Sequence, residues 1–179
     1  MKPIDSLMIE HRVIERMLAL LKTEHQEIIE RGEANYHFID MALDFFDTYV
    51  QRFHHGKEEK ILFKELGGKP LSPEDKEMMD DLIKEHVFTR NTMDKFRNAR
   101  ELRDTDKDSL KEIVKCMETL IKWYPVHIEK EDKHFFIPSM EYLSMQEQTA
   151  MLEEFREFDR NFTHATYLGI IKELEGKRK

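Results

Sequence analysis

The chain has 179 residues, 40% of them hydrophobic and 37% charged, with only six glycines and five prolines, a composition that suits one domain of long amphipathic helices. Its formal charge of −8 argues against nucleic acid as a partner, because phosphate backbones require a clustered basic surface. No stretch reaches the apolar length of a membrane span, and Lys2, Pro3 and Asp5 leave no signal-peptide start, so a cytoplasmic protein that does not engage membranes is expected.

The first helix is expected from Asp5 to about Arg31, where Leu7, Ile14, Leu18, Leu21 and Ile28 recur at gaps of three and four and His11 and His25 fill the vacant seam positions. Gly32-Glu33-Ala34-Asn35 ends it. A second helix runs from about Tyr36 to Leu66 with Phe46, Val50, His54, Glu58 and Leu62 in one row, one turn apart. On that register His54 faces inward, and His55 lies one step round the helix among Gln51, Arg52 and Glu59.

Gly67-Gly68-Lys69-Pro70 is a break, and Ser72-Pro73-Glu74-Asp75 reads as a capped helix start with proline at the first position. The third helix should reach about Arg103 with Met79, Leu82, His86, Thr89, Met93 and Phe96 in its seam. Asp104-Thr105-Asp106 turns the chain into a fourth, with Ile113, Met117, Leu120, His127 and Glu131 inward and Pro125 weakening its ladder. After Pro138, Ser144-Met145-Gln146-Glu147 is a capping box opening a fifth helix to about Glu175, whose stripe is Phe155, Phe158, Phe162 and Ala165. The expected fold is all-α: an antiparallel up-down four-helix bundle over residues 1–142, and a C-terminal helix over 143–179 that packs on the bundle or forms a homodimer contact.

Two halves of the chain repeat one pattern. Leu7-x-x-Glu10-His11 returns as Leu82-x-x-Glu85-His86, and His54-x3-Glu58 returns as His127-x3-Glu131. In an up-down bundle, residues equally far from a turn share a height, and by that measure His11, His54, His86 and His127 fall in one layer, one from each helix. Glu58 and Glu131 extend it. Buried imidazoles and carboxylates left unpaired cost several kcal/mol, and a metal relieves that cost. Cys116 is the single cysteine, so no thiolate cluster can form and the ligands must be imidazole and carboxylate, a set that suits iron, with manganese or zinc as less favoured ions. Two carboxylates among four histidines suggest two metals bridged by Glu58 and Glu131.

The other histidines sort by height and surroundings. His25 and His37 lie at the far end of the bundle, His25 about 21 Å along the helix from His11. His164, beside Arg160 and Asn161, reads as surface. His134, Tyr124 and Glu15 are left as candidates to extend the metal shell, although an Arg90–Glu15 ion pair is the plainer fate of Glu15. Cys116 is core.

Glu10-His11, His54-x3-Glu58-Glu59-x-Ile61-Leu62-Phe63, Glu85-His86 and His127-x3-Glu131-Asp132 with Phe136 and Pro138 together resemble the hemerythrin-like, or HHE cation-binding, domains over residues 5 to 140. The resemblance implies a four-helix bundle around a non-haem di-iron centre. Its implied roles are binding, sensing or reacting with dioxygen, peroxide or nitric oxide, with iron storage or repair as the alternative. Oxygen-carrying members have His-x3-His on the third helix, whereas here His86 is followed by Arg90, which argues against reversible oxygen carriage. They also use His-x4-Asp on the fourth helix, so Asp132 stands as the substitute for Glu131. With four histidines, two bridging glutamates and one bridging oxygen, about two of roughly twelve octahedral positions stay open.

Overall fold

A computed structural model describes residues 2–160 and 164–177. Six helices make up the described chain, with no strand among the described residues: α1 (Pro3–Arg31), α2 (residues 36–66), α3 (Pro73–Glu101), α4 (residues 109–139), α5 (Met145–Arg160) and α6 (His164–Lys177). The expected boundaries fall where local chemistry puts them. Gly32 adopts the left-handed conformation (φ 73°) and its N–H closes α1 on the Ile28 carbonyl, a backbone state that glycine adopts without a steric penalty. Asn35 caps α2 by accepting from the Phe38 N–H, and Ser72 caps α3 by accepting from the Asp75 N–H. Ser144 and Glu147 form the reciprocal box that opens α5.

Two of the four bundle helices are not purely α-helical. α2 contains π-helical turns at Phe45–His54 and Glu58–Leu62, and α4 contains one at Lys130–Phe135. Each wider turn takes in an additional residue and changes which side chains face the interior. Pro125, expected to weaken α4, sits within continuous α-helix from Ser109 to Glu129.

Burial divides the core in two. Leu18, Leu21, Phe46, Tyr49, Val50, Phe53, Phe96, Met117, Leu120 and Tyr124 belong to a cluster at one end; Leu7, Leu62, Phe63, Leu66, Leu82, Phe135 and Phe136 belong to another. The buried polar layer lies between them.

The C-terminal segment expected as one helix is described as α5 and α6, and both lie against the bundle. Arg16 on α1 makes a two-pronged ion pair to Glu175, at 2.9 and 2.8 Å, and the Tyr167 hydroxyl donates to Asp44 at 3.0 Å. Of the expected stripe, Phe155 is buried and Phe158 half-buried, but Ala165 is exposed and Phe162 lies outside the described residues. Tyr167, Ile171 and Leu174 form the buried face of α6 instead. His164, read as surface, is half-buried with its Nδ1 2.8 Å from the Tyr49 hydroxyl, because α6 folds back over α2.

Candidate metal centre

The structure brings His11, His54, His86, His127, Glu58 and Glu131 together between the two apolar clusters, all of them 0–2% exposed. It adds one histidine that helical periodicity assigned elsewhere. His55 is 1% exposed and points inward, a correction that follows from the π-turns flanking it. In a regular α-helix, adjacent residues diverge widely; here His54 turns toward His11 on α1, ring centroids 4.6 Å apart, while His55 turns toward His86 on α3, rings parallel at 3.8 Å.

The seven residues form two adjoining groups. His55, His86 and His127 make one and His11, His54, Glu58 and Glu131 the other, each with its ligand atoms within 4.8 Å of one another. The glutamates join them. Glu58 Oε1 lies 3.3 Å from His54 Nε2 while its Oε2 lies 3.4 Å from His86 Nε2. Glu131 Oε2 stands 3.1 Å from His11 Nε2 and 3.4 Å from His127 Nε2, with Oε1 3.7 Å from His86 Nε2. Yet the Nε2 atoms of all five histidines, and both oxygens of each glutamate, are buried without a hydrogen-bond partner. Buried polar atoms are seldom left so, and this convergent set of imidazole nitrogens and carboxylate oxygens fits a pair of cations.

Behind the imidazoles runs a closed ring of carboxylates. Each helix supplies one to a histidine of the next: Glu10 to His54 Nδ1 (2.9 Å), Glu59 to His86 Nδ1 (2.8 Å), Glu85 to His127 Nδ1 (2.7 Å) and Asp132 to His11 Nδ1 (2.7 Å). The acid beside a histidine in the sequence therefore serves a different helix. Each carboxylate also meets a cation: Lys57 for Glu10, Arg90 for Glu59, Lys130 for Glu85 and Arg12 for Asp132. Such partners fix the tautomer with Nε2 turned inward and raise its basicity. His55 is the exception, its Nδ1 lying 3.2 Å from the neutral Gln51 Oε1.

The electrostatics reflect this crowding. Burial lowers the basicity of His11, but the Asp132 and Glu131 carboxylates outweigh it and raise its pKa to about 10. Burial wins at His54, held down to about 4 despite Glu10, and at His55, kept well below the usual imidazole range with His86 adding to the effect. The two glutamates split. Burial and then Glu131 push Glu58 well above the carboxylate range; burial also raises Glu131, but the imidazoles of His127, His11 and His86 crowded around it hold it well below.

The remaining candidates find other places. Asp132 orients His11 and does not enter the cluster. Arg90 pairs with Glu59 at 2.6 Å, while Glu15 pairs with Arg12 at 3.2 Å, so the expected Arg90–Glu15 pair does not form. His134 and His37 are exposed and His25 is half-buried in α1. Tyr124 is buried near His127, and burial followed by the Glu131 and Glu58 charges pushes its phenol upward. Trp123 stacks on His127 at 4.4 Å. The sequence did carry a sign of His55, since His55/Glu59 repeats the same four-residue spacing, but Glu59 turns to His86 from the rim.

Residues 2–136 match the hemerythrin HHE cation binding domain. No curated protein and no solved structure matches the chain. Among the described residues, no helix is long and apolar enough to cross a membrane.

Proposed function

The chain belongs to the hemerythrin HHE cation-binding family, and from that premise we propose that it is a non-haem di-iron protein that binds or reacts with a small ligand such as dioxygen, peroxide or nitric oxide. The observation that carries this reading is the placement of Glu58, whose two oxygens face histidines of different groups, His54 and His86. A single ion needs neither a carboxylate so divided nor five histidines. His55, His86 and His127 would hold one iron, His11 and His54 the other, with Glu58 and Glu131 shared between them. Bound there, iron would supply one-electron chemistry and a site for a small ligand.

The chain's own contribution is orientation and exclusion of water. The carboxylate ring holds four imidazoles with Nε2 inward. Phe136 stacks against His11 and Phe63 against His86, at 5.7 and 5.8 Å, closing the layer from one end. Toward solvent, a cleft of about 410 Å³ is lined by Gln51 and Arg90, the groups that hold His55 and, through Glu59, His86. With iron bound, His55 would fill one of the about two positions otherwise open, and the number of histidines would then no longer argue against reversible ligand binding.

Metal analysis of the purified protein, with anaerobic spectra before and after addition of air or nitric oxide, tests the proposal. Two irons per chain and a spectrum that responds to the added gas are expected. One metal per chain at full occupancy, or a colourless zinc protein, would overturn it.

A further inference from the structure

Of the four cations behind the carboxylate ring, three stand at the surface: the side chains of Arg12, Arg90 and Lys130 are 55%, 39% and 30% exposed. Lys57 is fully buried. Its ammonium lies 4.1 Å from the Phe53 ring centroid and 5.5 Å from that of Phe155, and pairs on one side with Glu10 and on the other, at 3.1 Å, with Asp159. Phe155 and Asp159 belong to α5, beyond the residues that match the family. The same helix closes on the turn after the two histidines. A Cβ placed on Gly56 would come within 2.9 Å of Phe158 Cζ, so glycine there lets α5 lie directly on α2.

An ammonium withdrawn from water is retained only where carboxylates offset the lost hydration. Lys57 has such a partner on each side, and one of them is the acceptor for His54 Nδ1. We propose that Lys57 and Asp159 are positioning residues of the metal centre: through Lys57, α5 holds the Glu10 carboxylate on His54 and so governs retention of the ion in the His11–His54 half. The role rests on the two-ion reading above. Groups directly behind a ligating histidine are worth 10–100-fold in metal affinity. Lys57 acts one residue further back, which places its effect at about tenfold, and Asp159 should contribute a smaller effect in the same direction.

The experiment loads the full-length protein anaerobically with ferrous iron, then measures loss of each ion to a ferrous chelator, with Mössbauer spectra of the retained iron. In Lys57→Met, one of the two ions should be lost about tenfold more readily while the other is unchanged, and the Mössbauer signal of one site alone should alter. Asp159→Asn should show a weaker effect at the same ion, and Asp159→Glu should restore wild-type retention. Asp159 is partly exposed, so its variants test the inference even if Lys57→Met fails to fold. Equal weakening of both ions, or variants indistinguishable from wild type, would overturn the positioning role. A wild-type protein that retains a single ion would overturn the two-ion reading itself.

Discussion

Replacing Glu58 with methionine should make the metal-free protein more stable and the metal-loaded protein less stable than wild type. Glu58 is 0% exposed and neither of its oxygens has a hydrogen-bond partner; its nearest neighbours are the equally unpartnered Nε2 atoms of His54 and His86. An unsatisfied buried polar group costs about 1–3 kcal/mol. Methionine of similar length removes that cost and extends the apolar surface beside Phe63 and Leu62. A gain near about 2 kcal/mol corresponds to a rise in Tm of about 4–8 °C for a chain of this size. With metal the order reverses, since each of the two ions, present at about 100 times its Kd, stabilises the native state by about 2.7 kcal/mol, and the variant forgoes most of both contributions. Thermal unfolding followed by circular dichroism, first with chelator and then with ferrous iron under nitrogen, measures both. If the variant is the less stable protein in chelator, the carboxylate is satisfied by the fold and is not held for a cation.

Further predictions test other parts of the structure. His55→Ala should lower the iron content of the loaded protein as much as His86→Ala does, while His25→Ala and His37→Ala should leave it unchanged; retention of full iron by His55→Ala would return His55 to a packing role. Gly56→Ala should destabilise the fold by about 1–3 kcal/mol, the usual cost of overpacking, because its methyl meets the Phe158 ring; in Gly56→Ala/Phe158→Leu, urea unfolding should show part of that loss recovered. Glu147, half-buried at the start of α5, is drawn from 4.5 down to about 2 by Lys69 and Ser144. Its folded-state pKa is depressed, so its contribution is complete above about 4.5 and fades as pH falls toward about 2. The stability difference between wild type and Glu147→Gln should shrink over that range in urea titrations, and a constant difference would show that the pairing with Lys69 contributes nothing.

The sequence by itself determined the four bundle helices, their turns and six of the seven residues in the cluster, but not the division of the C-terminal segment into α5 and α6. Periodicity set the seam positions, caps and glycines set the ends, and short connections between antiparallel neighbours put His11, His54, His86 and His127 at one height, because rise per residue is constant along a helix. What the sequence could not show is where that constancy fails. The π-turns around His54 and Glu58 lie against α1, α3, α5 and α6, and with them His55 turns inward and adds a fifth histidine although Arg90 stands where the oxygen carriers have one. Charge pairing was likewise a tertiary matter: Glu10 sits beside His11 in the chain but serves His54, and Arg90 finds Glu59 and not Glu15. A buried Lys57 was invisible in one dimension, because one of its two carboxylate partners, Asp159, arrives from a helix folded back across about a hundred intervening residues, and the other, Glu10, comes from α1; together they make a charge at the position tolerable.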